Sequence, residues 1–135
     1  MSAALGALRA MLIADAAVTA AVPSSRIVAG EIQQDTVWPV IALVHSNTQR
    51  EGNMAVAVGE ELLSSTIEVL PLAQGYASMS SLVQLIEAAC HGKRGVWGGV
   101  SVAQCLRVAQ GQDDFFDEQG VWARPVVFQL IYTRP

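Results

Sequence analysis

A chain of 135 residues can build one hydrophobic core but not two ordinary domains. Its net charge of −4 and pI near 5.0 argue against affinity for nucleic acid, because phosphate binding needs clustered Lys and Arg. Apolar residues make up 52% and charged residues only 15%, with a mean hydropathy of +0.37, so the helices are Ala-rich, part of the surface is covered by neighbours, or both. The basic residues are scattered, and the closest pair is Lys93-Arg94. No segment approaches the ~20 apolar residues of a membrane span. The Ala- and Leu-rich start is interrupted by Arg9 and Asp15 and has no basic segment before it, which is unlike a secretory signal. Cys90 and Cys105 lack metal-ligand spacing and read as free thiols of a reducing compartment.

In chain order, Ser2 to Ala21 reads as a helix with Leu5, Leu8, Leu12 and Val18 on one stripe and Arg9 and Asp15 facing away. Pro23 stops it. Arg26 to Val28 is a short extended piece, and Gly30 to Thr36 is a polar connector. Trp38-Pro39 opens a strand over Val40 to His45, where a proline is tolerated because it precedes the ladder. Ser46 to Asn53 reads as a loop, and Met54 to Gly59 continues it or forms a short strand. Leu62 to Leu72 is a strand in which Ile67 and Val69 lie opposite Thr66 and Glu68 on the pleat, with Pro71 marking its end or a sheet edge. Ser78 is a candidate N-cap for a helix to His91, whose stripe is Met79, Leu82, Ile86, Ala89 and Cys90 and whose C-cap is Gly92. Gly95 to Gly99 is a glycine-rich turn. Val100 to Ala109 and Pro125 to Thr133 are strands joined by the connector Gln110 to Trp122. This order predicts a single α+β domain with a mostly antiparallel sheet of about four main strands and two helices packed on one face.

Chemical motifs are weak throughout. Gly99 to Ala103 lacks the last glycine of a nucleophile elbow and enters a strand instead of a helix. Gly92 to Gly95 lacks the upstream glycine and the Ser or Thr of a phosphate loop. His45 and His91 have no third ligand in register for a metal. Asp113, Asp114, Asp117 and Glu118 form the densest charge cluster, but the calcium-loop pattern with its central glycine and terminal glutamate is missing. Phe115, Phe116 and Trp122 sit among these acids. A solvated loop rarely carries three large aromatics, so they either fold back on the domain or dock on another subunit.

The order and spacing of the elements resemble the siphophage tail-completion, or tail-terminator, proteins over nearly the whole chain. The marks are an amphipathic first helix with Asp15-Ala16-Ala17-Val18, then Arg26-Ile27, then Trp38-Pro39 before an apolar strand. A strand at Thr66 to Leu70, a helix near Ser78 to His91, and a Gly-rich turn into a hairpin ending in an aromatic strand complete them. The chain departs at Leu70-Pro71-Leu72, where the family more often keeps an uninterrupted strand, and this bears on the edge of the sheet.

The resemblance implies a structural phage virion protein without catalytic residues, cofactor or metal. It implies a ring, by family expectation a hexamer, that caps the tail tube and joins the tail to the head-neck complex. The implied partners are other copies of the chain, the tail-tube protein and a head-closure or neck protein. DNA would pass through without specific binding, and no membrane is involved. Its place would be the head-tail junction of a virion assembled in the host cytoplasm. The candidate subunit or partner interface is Asp113, Asp114, Phe115, Phe116, Asp117, Glu118 and Trp122. Two other readings stand beside this one: a head-closure neck protein, and a small-molecule-binding α/β domain using the Gly95 to Gly99 turn.

Overall fold

A computed structural model describes residues 3–30, 37–50 and 61–134. The first helix is two helices, α1 (Ala3–Ala14) and α2 (Ala16–Ala21). The break is at Asp15, which leaves helical geometry at φ −85° and ψ 118°. Its Oδ1 accepts from Ala17 N at 3.0 Å and Val18 N at 3.1 Å, so the residue expected on the solvent face caps a new helix. A 3₁₀ turn over Ser24–Arg26 leads into β1 (Ile27–Ala29).

The four main strands are β2 (Val40–Arg50), β3 (Glu61–Ala73), β5 (Val100–Gln110) and β8 (Val126–Arg134). Short strands β4 (Gly95–Trp97), β6 (Asp114–Phe116) and β7 (Val121–Ala123) join them. Among the described residues the sheet, with β1, has eight strands in the order β1-β2-β3-β8-β5-β4, with β7 also on β3 and β6 on β7. The sheet is therefore larger than the expected four strands. It is also mixed, because β1 runs parallel to β2 while the other pairings are antiparallel.

Helix α3 (Tyr76–Cys90) begins before the expected cap at Ser78. Gly75 is the N-cap, and Met79 N already donates to its carbonyl at 3.0 Å, which leaves Ser78 inside the first turn. At the other end Gly92 has the left-handed φ of 83° expected after a helix. Its N–H donates to Cys105 O at 2.7 Å, tying the helix end to β5.

The expected loop from Ser46 is strand as far as Arg50, and the expected strand or loop at Met54 to Gly59 lies outside the described residues. Polar side chains do not stop the ladder: after an irregularity between His45 and Asn47, Thr48 pairs with Ser65 and Arg50 with Leu63. His45 is accordingly inside a strand, not at its end, and its Nε2 shares a hydrogen bond with Thr48 Oγ1. Pro71 ends nothing. It lies in a central strand, between the last β3–β8 pair, Val69↔Val126, and the first β3–β7 pair, Leu72↔Ala123. A missing amide proton leaves no ladder bond unmade on that side.

The expected glycine turn is a hairpin, in which β4 pairs with β5 from Gly95↔Val102 to Trp97↔Val100. Gly98 and Gly99 have φ of 57° and 77°, the two positive values a two-residue turn of this hand requires. A Cβ on Gly98 would also sit 3.1 Å from Gly6 O, so α1 packs directly on the turn.

Helices α1 and α3 cover one face of the sheet, as expected. The core between them includes Leu8, Met11, Leu12, Ile41, Leu43, Ile67, Met79, Ile86, Phe128 and Leu130, all essentially without solvent contact. Cys90 and Cys105 are buried free thiols there. Burial pushes the Cys105 thiol up to about 12 and raises Cys90 well above its ordinary value, so both stay protonated and unreactive. A second, small cluster of Ala42, Leu72, Val121 and Ala123 joins β7 to the sheet.

Candidate assembly surface

Strands β5 and β8 form a long antiparallel ribbon that is interrupted where Gln110 pairs with Val126. Beyond it, Gly111 N donates to Pro125 O at 2.7 Å. A Cβ on Gly111 would lie 2.3 Å from Pro125 Cγ, so only glycine allows this approach. Past the interruption the ribbon resumes as β6 and β7, with Asp114↔Ala123, Phe115↔Trp122 and Phe116↔Val121. Strand β7 takes up the end of β3, and β6 is left as an outer edge. The expected irregular connector is thus largely a hairpin, closed where Gly120 N donates to Phe116 O at 2.8 Å.

The seven candidate interface residues fall into two sets. Asp113 and Trp122 fold back. Arg124 Nε donates to Asp113 Oδ1 at 2.6 Å and Tyr76 Oη donates to Asp113 Oδ2 at 2.6 Å, while Arg124 Nη2 donates to Tyr76 Oη at 3.1 Å. The Arg124 hydrogen bond, then that of Tyr76, holds the Asp113 carboxyl below the usual carboxylate range. Trp122 packs against the main core and meets the Tyr76 ring edge-on, with centroids 5.2 Å apart. The other set faces solvent. Phe115 leans on Trp122 at 5.0 Å between centroids yet remains 42% exposed, and Phe116 is 36% exposed. Asp114, Asp117 and Glu118 are exposed and make no ion pair among the described residues. Tyr76 and Arg124, which hold the hairpin to α3, had no local signal in the sequence, since Tyr76 lies 37 residues from Asp113.

Among the described residues no three metal-ligating side chains gather. A cleft of about 410 Å³ opens between the end of α2 and the start of α3, lined by Trp38, Pro39, Gln74, Ser78 and Leu82 among others. Among the described residues its lining includes none of the Gly95 to Gly99 turn and no titratable group. No described helix is long and apolar enough to cross a membrane.

The described residues form an α+β protein: a continuous mixed sheet with helices on one face and, at one end, a hairpin carrying half-exposed aromatics. The profile of the family described as tail completion protein gp17 matches residues 6–133, and the chain belongs to that family. It is a structural tail completion protein, of a family that is not a class of enzymes. Among solved structures, 12 chains match. One is a chain of the virion of a native gene transfer agent particle, with 16% identity, a TM-score of 0.70, and coverage of 98% of this chain and 100% of that one. That likeness establishes the fold. No curated protein sequence matches.

Proposed function

We propose that the chain forms a ring, a hexamer by family expectation, that caps the tail tube and joins the tail to the head-neck complex of a virion. The family match across residues 6–133 carries this reading. The similar chain from a gene transfer agent virion is consistent with a place in such a particle. Physically, a ring needs one surface that fits a different surface on the next copy. Exposed strand edges and aromatic side chains at the end of the sheet are suited to that task. A net charge of −4 suits a passage that does not hold DNA. The self-contacts, the tail-tube protein and a neck protein are the partners this reading requires, and Asp114, Phe115, Phe116, Asp117 and Glu118 are its proposed contact residues. Asp113 and Trp122 support them from behind.

Light scattering and electron microscopy of the purified protein, alone and mixed with tail tubes, test the reading. Rings or capped tubes are expected. A protein that stays monomeric and never joins tubes overturns it, and a ring located only on the head side of the neck replaces it with head closure.

A further inference from the structure

The two free outer edges of the β5 row carry opposite charge. At one end β6 pairs on one side only among the described residues, and Asp114 with Asp117 and Glu118 of the turn after it surround Phe115 and Phe116. At the other end β4 is the last strand of the sheet, preceded by Lys93 and Arg94, with Val96 73% exposed. Between them the edge of β5 is closed: Gly92 N donates to Cys105 O, and Arg107 N donates to His91 Nδ1 at 3.0 Å.

The cations also sort themselves. Arg9 is held by Ile27 O at 2.8 Å, Arg26 by Val37 O and Trp38 O, Arg107 by Glu87 at 3.6 Å, and Arg124 by Asp113 at 2.6 Å. Lys93 and Arg94 have no carboxylate partner among the described residues. Val102 to Gln110 separates the two edges by about 26 Å of strand, so they cannot meet within one chain.

We propose that the β6 edge of one copy docks on the β4 edge of the next, resting on the ring reading above and naming its interface. Antiparallel pairing in a single register sets Phe115 opposite Val96 and Phe116 over the bare Gly95. The same alignment brings the turn after β6, with Asp117 and Glu118, toward the segment before β4 that carries Arg94 and Lys93. The apolar pair is the centre of the contact and the ion pairs its rim. Because the two edges differ, the contact is heterologous, the kind that closes a ring of copies. The β1 edge is a poorer acceptor, since the nearby Arg26 is already engaged.

Charge reversal tests this. Asp117→Arg with Glu118→Lys, or Lys93→Glu with Arg94→Asp, each weakens ring formation by about tenfold or more, measured by light scattering at fixed protein concentration. All four substitutions in one chain restore it. Charge-reversed variants that form rings as readily as wild type, or folded fourfold variants that do not reassemble while wild type does, overturn this interface and leave the ring reading standing. A wild-type chain that never assembles overturns both. Cysteine pairing provides a second measurement on minimally altered surfaces. Val96→Cys protein mixed with Phe115→Cys protein gives a covalent pair on mild oxidation, well above a control in which Val108→Cys replaces Val96→Cys. Cross-linking no better than that control overturns the proposed register.

Discussion

Two parts of the same sheet use their apolar side chains in opposite ways. Under α1 and α3, Ile67, Val69, Phe128 and Leu130 are fully buried, and the buried polar side chain of Ser65 is bonded to Tyr132 Oη and Thr48 Oγ1, each at 2.8 Å. At the β6–β7 end, Trp122 is packed but Phe115 and Phe116 keep 42% and 36% of their surface in solvent. Burial of an aromatic returns free energy to the fold in proportion to the area removed from water. The helix-covered region has collected that return, while the hairpin has left part of it for contact with something else. Stability and assembly are therefore separable by position along one sheet.

The sharpest contrast comes from Phe128→Ala, which removes the largest fully buried side chain. A loss of about 3–5 kcal/mol in urea unfolding is expected, and a loss below about 1 kcal/mol would show that the covered face is not the main core. Next is Gly111→Ala, where the added Cβ meets Pro125 Cγ at 2.3 Å. Displacing the proline costs about 1–3 kcal/mol. It should also loosen the β6–β7 hairpin, seen as faster amide exchange at Phe115 and Trp122 than at Phe128.

Much of the covered region was legible because it rests on repeating patterns. The alternation of Val126, Phe128, Leu130 and Tyr132 marks β8, and all four are buried as that alternation implies. The hairpin end was legible only in composition. Asp114 to Phe116 pairs through its backbone, which no side-chain period announces, and its anchors Tyr76 and Arg124 come from elsewhere in the chain. Asp15 was obscured for a related reason: an exposed helical aspartate and an N-cap aspartate look alike until the backbone is known. The apolar stripe running on to Val18 favoured the former. The polar end of β2 was hidden because its ladder with β3 is indifferent to side-chain polarity. Local period exposes what faces the core, and is nearly silent on what one edge does to another.

A smaller effect on the fold is expected from Phe115→Ala with Phe116→Ala. Both side chains are partly solvated, and Phe115 also pairs with the Trp122 ring, so each truncation destabilises the isolated chain by about 1–2 kcal/mol, less than Phe128→Ala. Assembly should nevertheless fail, measured as the disappearance of rings or joined tails. A destabilisation by either truncation alone approaching that of Phe128→Ala would place these rings in the core and erase the contrast between the two regions.

The smallest effect belongs to Asp113→Asn and shows only as a pH dependence. The Arg124 and Tyr76 hydrogen bonds depress the folded-state pKa of Asp113, so its contribution is complete above the unfolded value, about 3.9, and disappears as pH falls through the folded value below it. Wild type and Asp113→Asn should differ by a constant, small amount from pH 8 to 5 and converge below about pH 4. Solvent screens the pair, so the difference belongs in hairpin-specific probes, such as Trp122 fluorescence, more than in the global midpoint. A gap that changed between pH 8 and 5, or that persisted undiminished in strong acid, would show that the clasp is not what holds the hairpin to α3. The orientation of the proposed contact edge would then rest on the β3–β7 pairing alone.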